Sequence, residues 1–135
     1  NMITLLEKHS KIPVTIAIVI AIAIFYVSSI KIEQTENYVG SNAIIYHFSI
    51  FFLLSFFMLI GIVKRKKFRF IPIIISIAII YAALDELHQY FVPGRYCSFT
   101  DFLIDMIGIL TALGLYLMLI KYQNLKTRKN ISVNE

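Results

Sequence analysis

Long charge-poor runs alternate with short polar segments along this chain. Three of the runs have about 20 residues, the length that a helix needs to cross a bilayer, and the run from Phe70 reaches it by continuing to Phe91. The runs lack strict alternation of polar and apolar residues and are too long for barrel strands. The pattern predicts an all-α, polytopic membrane protein, a bundle of four transmembrane helices at about 12–30, 43–63, 68–91 and 100–121.

Composition supports the same class of protein. Of the 135 residues, 59% are hydrophobic and 16% are charged, which is too apolar for one small water-soluble core. We expect residues 1–122 to form a single transmembrane domain and residues 123–135 to form a polar cytoplasmic tail. Three more apolar runs follow the first, which lacks a small-residue cleavage pattern, so we expect a retained helix rather than a secretory signal.

The distribution of cations predicts the orientation. Lysine and arginine concentrate between the second and third helices and after the fourth, as in cytoplasmic loops. We therefore expect an N-in/C-in protein of the cell membrane, with the segment after the third helix on the extracytoplasmic side. The net charge of +5 is then mainly topogenic, which favours membrane lipids as partners and no nucleic acid. The cations expected on the cytoplasmic side, including two before the first helix, are Lys8, Lys11, Lys64, Arg65, Lys66, Lys67, Arg69, Lys121, Lys126, Arg128 and Lys129.

A dense polar segment joins the third and fourth predicted helices. Ionisable residues inside a bilayer or at its rim are costly, and by default they are candidates for a functional site. Because a helix rises about 1.5 Å per residue across about 30 Å of hydrocarbon, depth can be counted from the cytoplasmic ends of the helices. The residues that this count brings to one depth, near the outer surface, are His47, Asp85, Glu86, Asp101 and Asp105.

Helical spacing predicts which side chains share a face. Asp85 and Gln89 are four residues apart, and residues at this spacing are neighbours on a helix surface. Gly108 lies three residues after Asp105, with Gly114 beyond it, and small residues let a partner helix come close. We therefore expect the polar face to look into the bundle.

The polar segment carries an excess of negative charge. The segment and the start of the fourth helix hold four carboxylates, those of Asp85, Glu86, Asp101 and Asp105, and one guanidinium, that of Arg95. If all are ionised, their net charge is minus three. At low dielectric this charge requires protonation, a bound divalent cation or a cationic ligand. The planar fork of Arg95 suits a carboxylate or a phosphate. The candidates are Asp85, Glu86, Asp101 and Asp105 for catalysis, the same four with His47 for a metal, and Arg95, Gln89, His47 and His88 for binding.

Structural roles are the alternative for the loop residues. Ser98 and Asp101 fit a capping box at the start of the fourth helix. Arg95 can form a salt bridge with Asp101 or Glu86 instead of binding a ligand. Neither structural role excludes a functional role for the same residue.

The helix residues differ in how easily a structural role explains them. His47 can bridge two helices without binding a metal. His88 lies at the membrane rim, where we expect it to be solvated. Asp105 is the hardest to explain by structure, because a carboxylate one turn inside a spanning helix is costly.

The polar residues also form a recognisable run, D-E-x-x-Q-x-F-x-P-G-R from Asp85 to Arg95. With Ser98, Asp101, Asp105 and Gly108, this run resembles the signature of the VanZ-like family, small membrane proteins named for a teicoplanin-resistance determinant. His47, with Phe48 and Leu54, resembles a weaker motif on the family's second helix, and the similarity covers roughly residues 28–119. The chain departs from the family in having Ala43-Ile44 where Asp-Lys is frequent, and Asp105 where Asn is frequent.

The resemblance implies a protein of the cytoplasmic membrane that lowers susceptibility to a lipoglycopeptide such as teicoplanin. Three mechanisms stay open. In the first, the protein binds or shields an envelope lipid, a lipid-linked cell-wall component or the drug itself. In the second, it is an enzyme that uses the carboxylates, with or without a divalent cation, on a lipid headgroup. In the third, the polar residues only lock helices together in a membrane assembly. The sequence indicates no serine or cysteine nucleophile beside a base, which favours metal or acid/base chemistry over acyl-enzyme chemistry.

Overall fold

The computed structural model describes residues 9–31, 41–63 and 67–132, and these residues form helices without any strand. Helix α1 is Lys11–Ser29 and helix α2 is Ser41–Met58, which continues as a π-helical turn at Leu59–Val63. A 3₁₀ turn at Phe68–Phe70 leads into α3, Ile71–Tyr90, and α4 is Phe99–Ser132. The predicted all-α architecture is confirmed.

Each of the four helices is long and apolar enough to cross a membrane. Only 22% to 33% of the residues in their most apolar windows are buried inside the bundle, so most apolar side chains lie on its outer surface. A continuous apolar exterior is what lipid solvates and water does not. The N-in/C-in orientation stays a prediction, and Lys8 and the cations at 64–66 lie outside the described residues.

Helix α4 is longer than the sequence predicted. It continues to Ser132 instead of ending near residue 121, although its apolar span ends at Lys126. The residues from 122 to 132 include the good helix formers Gln123, Leu125, Lys126, Arg128 and Lys129, with neither glycine nor proline to stop the helix. Hydropathy therefore marked the end of the apolar stretch, and the helix itself runs on into the predicted polar tail.

Helices α2 and α4 make the most extensive contact in the bundle, and they come closest at Gly108. A Cβ at this position would lie 2.5 Å from the carbonyl oxygen of Phe48 and 3.2 Å from the backbone nitrogen of Phe52. The predicted close approach at Gly108 is therefore confirmed. At Gly114 the prediction is wrong, because no atom of another helix in the described residues lies within 4 Å of a Cβ there. Since Phe48 follows His47 in α2, this contact holds the start of α2 against α4.

We expect Gly108→Ala to destabilise the protein by about 1–3 kcal/mol, the usual result of overpacking. The added methyl group meets backbone atoms of α2, which cannot rotate away as a side chain can. Gly114→Ala is the matched control on the same helix, and it should leave stability unchanged or raise it slightly through helix propensity. Unfolding in mixed micelles titrated with SDS measures both variants, and equal midpoints would show that the close contact does not constrain the bundle.

Candidate functional site

The turn after α3 directs the chain back over the end of the bundle. The backbone N–H of Arg95 donates to the carbonyl oxygen of Val92 at 3.1 Å, and Gly94 has φ 85°. Proline at the second position and a positive-φ glycine at the third are typical of a type II turn. The predicted Pro93-Gly94 turn is thus present, and it brings the loop back to the end of α1 and the start of α4.

Helix α4 begins with a capping arrangement that differs from the predicted one. The Ser98 hydroxyl oxygen accepts a hydrogen bond from the backbone N–H of Asp101 at 3.2 Å. In a capping box the carboxylate at Asp101 would accept from the backbone N–H of Ser98. Here Glu86 on α3 does so instead, with its Oε2 at 2.7 Å. Glu86 therefore ties α3 to α4.

Three helices bring His47, Glu86 and Asp105 together, and we call these residues the three-helix cluster. His47 Nδ1 on α2 lies 3.0 Å from Asp105 Oδ1 on α4. All three residues are buried, and each offers one potential ligand atom within 4.8 Å of the others. Asp101 lies at the edge of the cluster, with its Oδ2 4.0 Å from His47 Nε2 and its side chain 27% exposed.

Two carboxylate oxygens of the cluster lack a hydrogen-bond partner among the described residues. They are Glu86 Oε1 and Asp105 Oδ2, and the two residues are 3% and 0% exposed. A buried polar atom without a partner costs about 1–3 kcal/mol, and more if it is charged. A proton or a cation is therefore needed to compensate these two carboxylate oxygens, because the apolar side chains around them offer no hydrogen-bond donor.

Asp85 belongs to a second group, separate from the three-helix cluster. Its Oδ1 lies 2.6 Å from the Ser28 hydroxyl on α1, and its Oδ2 accepts from Gln89 Nε2 at 2.9 Å. The predicted pairing of Asp85 with Gln89 is therefore present, whereas the sequence analysis missed Ser28. Asp85 and Glu86 are adjacent, so they point about 100° apart around the helix and meet different neighbours. These contacts place the carboxylates at one end of the bundle but not at one centre. Their depth in a membrane stays a prediction.

The serine contacts correct one expectation from the sequence. A serine hydroxyl does lie beside a carboxylate, at Ser28 and Asp85, and the Ser29 hydroxyl lies 3.0 Å from His88 Nε2. Ser28 is only 2% exposed, so a substrate reaches it only after the helices move. Ser29 donates to the carbonyl oxygen of Phe25 at 2.7 Å, an ordinary bond back along the helix. Ser28 is thus inaccessible, and the one hydroxyl proton of the exposed Ser29 goes to Phe25 rather than to His88, so neither contact has the arrangement of an activated nucleophile.

Arg95 lies at the end of α1 rather than beside the cluster. Its Nη1 donates to the carbonyl oxygens of Val27 at 2.8 Å and Ile30 at 3.5 Å. Both lie at the end of the helix, where carbonyl groups lack the regular i→i+4 partner, and the Val27 oxygen also accepts from the backbone N–H of Ile30 at 3.2 Å. Neither Asp101 nor Glu86 forms a salt bridge with Arg95 in the part of the chain described. The two predicted loop salt bridges are therefore wrong, and the other N–H groups of Arg95 make no hydrogen bond to the described residues.

His88 is partly buried against α1, so the expectation of a solvated side chain is wrong. Its ring stacks on Phe25 with centroids 4.8 Å apart. Together with Tyr81, Leu84 and Asp85, these two residues line a cavity of about 230 Å³ between α1 and α3. The Tyr81 hydroxyl donates to the carbonyl oxygen of Ala21 on α1 at 2.7 Å. The cavity is mainly apolar with one carboxylate in its wall, a combination suited to an amphiphile.

The sequence model of one family, VanZ/LLP1, matches residues 13–121, which span all four helices. The chain belongs to the VanZ/LLP1 family. No curated protein and no solved structure matches it. The matched range of this VanZ/LLP1 protein includes the three-helix cluster, the Asp85 group and Arg95. Family membership thus agrees with the resemblance seen in the sequence, and the roles of the individual residues rest on their geometry.

Proposed function

We propose that this VanZ/LLP1 protein lowers susceptibility to lipoglycopeptides such as teicoplanin by binding an envelope lipid or a lipid-linked cell-wall component. The three-helix cluster carries the proposal, because a bundle that needs only to fold has no use for unpartnered carboxylate oxygens in its interior. The end of the bundle that lies away from the three-helix cluster carries the lysines in the last turns of α4 and between α2 and α3. These lysines favour a cytoplasmic location for that end. On this topology the cluster and the Arg95 loop lie at the extracytoplasmic surface.

The proposed binding surface combines an anion site with an apolar one. Arg95 has N–H groups left over from its contacts with Val27 and Ile30, and these suit a phosphate or a carboxylate. The apolar cavity adjoins the same end of α1, because Phe25 lines it and Val27 follows two residues later. An amphiphile fits both surfaces, with its anionic head at Arg95 and its hydrocarbon part in the apolar cavity.

A membrane enzyme that acts on a lipid headgroup is the second candidate. The observation in its favour is again the three-helix cluster, whose buried histidine and carboxylates are groups that enzymes use for acid/base or metal chemistry. A comparison of envelope lipids by mass spectrometry, with and without the protein, distinguishes the two. A new or depleted lipid species favours the enzyme, and an unchanged inventory favours binding.

Expression in a teicoplanin-susceptible host tests the proposed function. We expect the minimal inhibitory concentration of teicoplanin to rise, and that of a glycopeptide without an acyl chain to rise less. The reason is that the proposed site lies at a lipid surface and recognises lipid-linked molecules. Membrane fractions probed for the protein provide the control for expression. Unchanged susceptibility in cells whose membranes contain the protein would refute the proposal.

Arg95→Lys separates ligand binding from helix capping. A lysine can still donate to the carbonyl oxygen of Val27, but it lacks the planar fork. We therefore expect normal thermal stability and a loss of affinity for the anionic component of about tenfold, which corresponds to about 1.4 kcal/mol. Drug susceptibility and thermal stability are measured together, with Arg95→Met as the variant that also removes the cap. Full protection by Arg95→Lys would limit Arg95 to a structural role.

A further inference from the structure

We infer that His47, Glu86 and Asp105 form a binding site for a divalent transition-metal ion such as Zn²⁺ or Mn²⁺. Each residue comes from a different helix, and their potential ligand atoms all lie within 4.8 Å of one another. Ligands that bind one tetrahedral zinc ion at about 2.0–2.2 Å lie about 3.3–3.6 Å apart, so each pair needs to close by about 1–1.5 Å at most. Small side-chain adjustments therefore bring the three atoms onto one ion.

The donor set indicates the class of metal. One imidazole nitrogen and two carboxylates suit zinc and its neighbours, whereas calcium and magnesium prefer oxygen ligands alone. Two carboxylates also match the charge of a divalent ion. Three protein ligands leave a position for water or a substrate, as in catalytic zinc sites.

Unpartnered atoms give independent support for a ligand at this place. Glu86 Oε1 and Asp105 Oδ2 are buried and have no hydrogen-bond partner in the described parts of the chain. Their sister oxygens are held in place, Glu86 Oε2 by the backbone N–H of Ser98 at 2.7 Å and Asp105 Oδ1 by His47 Nδ1 at 3.0 Å. The bond from Ser98, which lies outside the ligand set, is of the kind that orients a metal ligand and strengthens its binding.

Asp101 completes the site at its outer side. Its side chain is 27% exposed, and its Oδ2 lies 4.0 Å from His47 Nε2. It is thus the carboxylate through which an ion from the surface reaches the buried donors, and it is available as a further oxygen ligand. The site rests on the geometry of the cluster and does not depend on the proposed effect on drug susceptibility.

Titration of the purified chain, with any affinity tag removed, tests the site. The protein in nanodiscs is stripped with chelator and titrated calorimetrically with Zn²⁺ alone and with Mn²⁺ alone. We expect saturable binding of one ion per chain, and a loss of affinity of at least about 100-fold in His47→Gln, Glu86→Gln and Asp105→Asn. The matched control is Asp85→Asn, a buried carboxylate one residue from Glu86, which should bind the ion unchanged. No saturable binding of either ion, or equal binding by Asp105→Asn, would overturn the inference.

X-ray absorption at the edge of the bound metal tests the site in the wild-type protein, without a substitution in the cluster. In the wild-type protein we expect scattering from a single imidazole together with oxygen ligands. The same spectrum is expected for His88→Gln, which removes a histidine outside the cluster. Absence of an imidazole contribution, or its loss in His88→Gln, would overturn the assignment.

Discussion

His47→Ala is expected to destabilise the protein by about 1–3 kcal/mol or more, the cost of leaving a buried carboxylate without its hydrogen-bond partner. The imidazole lies 3.0 Å from Asp105, and it is the basic group that contacts this carboxylate among the described residues. Its removal leaves Asp105, which is 0% exposed, buried without its hydrogen bond. A cavity between α2 and α4 adds to the loss.

A double-mutant cycle separates the charge effect from the loss of packing. If the unpaired carboxylate causes most of the damage, then Asp105→Asn in the His47→Ala background should restore part of the stability, because it removes the buried charge. The free energies of unfolding come from SDS titration in mixed micelles. Strictly additive losses would show that the two side chains do not interact energetically and that the damage is a packing effect.

The level of a residue along the bundle could be predicted from the sequence because helical rise is constant. Counting residues from the helix ends expected to be cytoplasmic placed His47, Asp85, Glu86, Asp101 and Asp105 at one level. The structure brings three of them, His47, Glu86 and Asp105, within a few ångströms of each other. The helix positions themselves followed from the length of the apolar runs. Gly108 was predictable for a related reason, since a small residue beside a buried carboxylate indicates a close helix contact.

Contacts around the helix axis could not be predicted in the same way. Spacing separates Asp85 from Glu86 by about 100°, but it does not say which helix each one meets. That depends on how the four helices are arranged. Ser28 was missed for this reason, because a serine near the end of α1 has no distinguishing pattern. Arg95 was expected to bind an anion or to pair with Asp101 or Glu86, whereas the path of the loop carries it to the carbonyl groups of α1.

The two polar groups in the bundle differ in how well they are satisfied. Both oxygens of Asp85 have hydrogen-bonding neighbours, Ser28 on α1 and Gln89 on its own helix, so this group is suited to lock α1 against α3. The three-helix cluster has oxygen atoms left over. Satisfied networks specify a structure, and unsatisfied ones are retained where function requires them. Substitutions in the cluster should therefore affect function more than those in the Asp85 group.

Glu86→Gln is expected to abolish the protective effect while leaving the fold intact. The amide oxygen of glutamine can accept the hydrogen bond from the backbone N–H of Ser98 that Glu86 Oε2 now accepts at 2.7 Å, so the start of α4 stays in place. The substitution removes a buried negative charge at nearly constant volume, which costs little stability. What it eliminates is the carboxylate of Glu86 as a proton acceptor or metal ligand.

Drug susceptibility of cells that express Glu86→Gln measures this effect, with elution as a single folded species in detergent as the check on folding. Ser55→Ala is the matched control, because it also removes a buried polar group that has no partner among the described residues, two turns along α2 from His47. It should retain full protection. Since Glu86→Gln keeps the hydrogen bond and changes only the charge and proton-binding capacity of one side chain, full protection by this variant would mean that the cluster serves the structure alone. Loss of protection with normal folding would assign its unsatisfied oxygens to function.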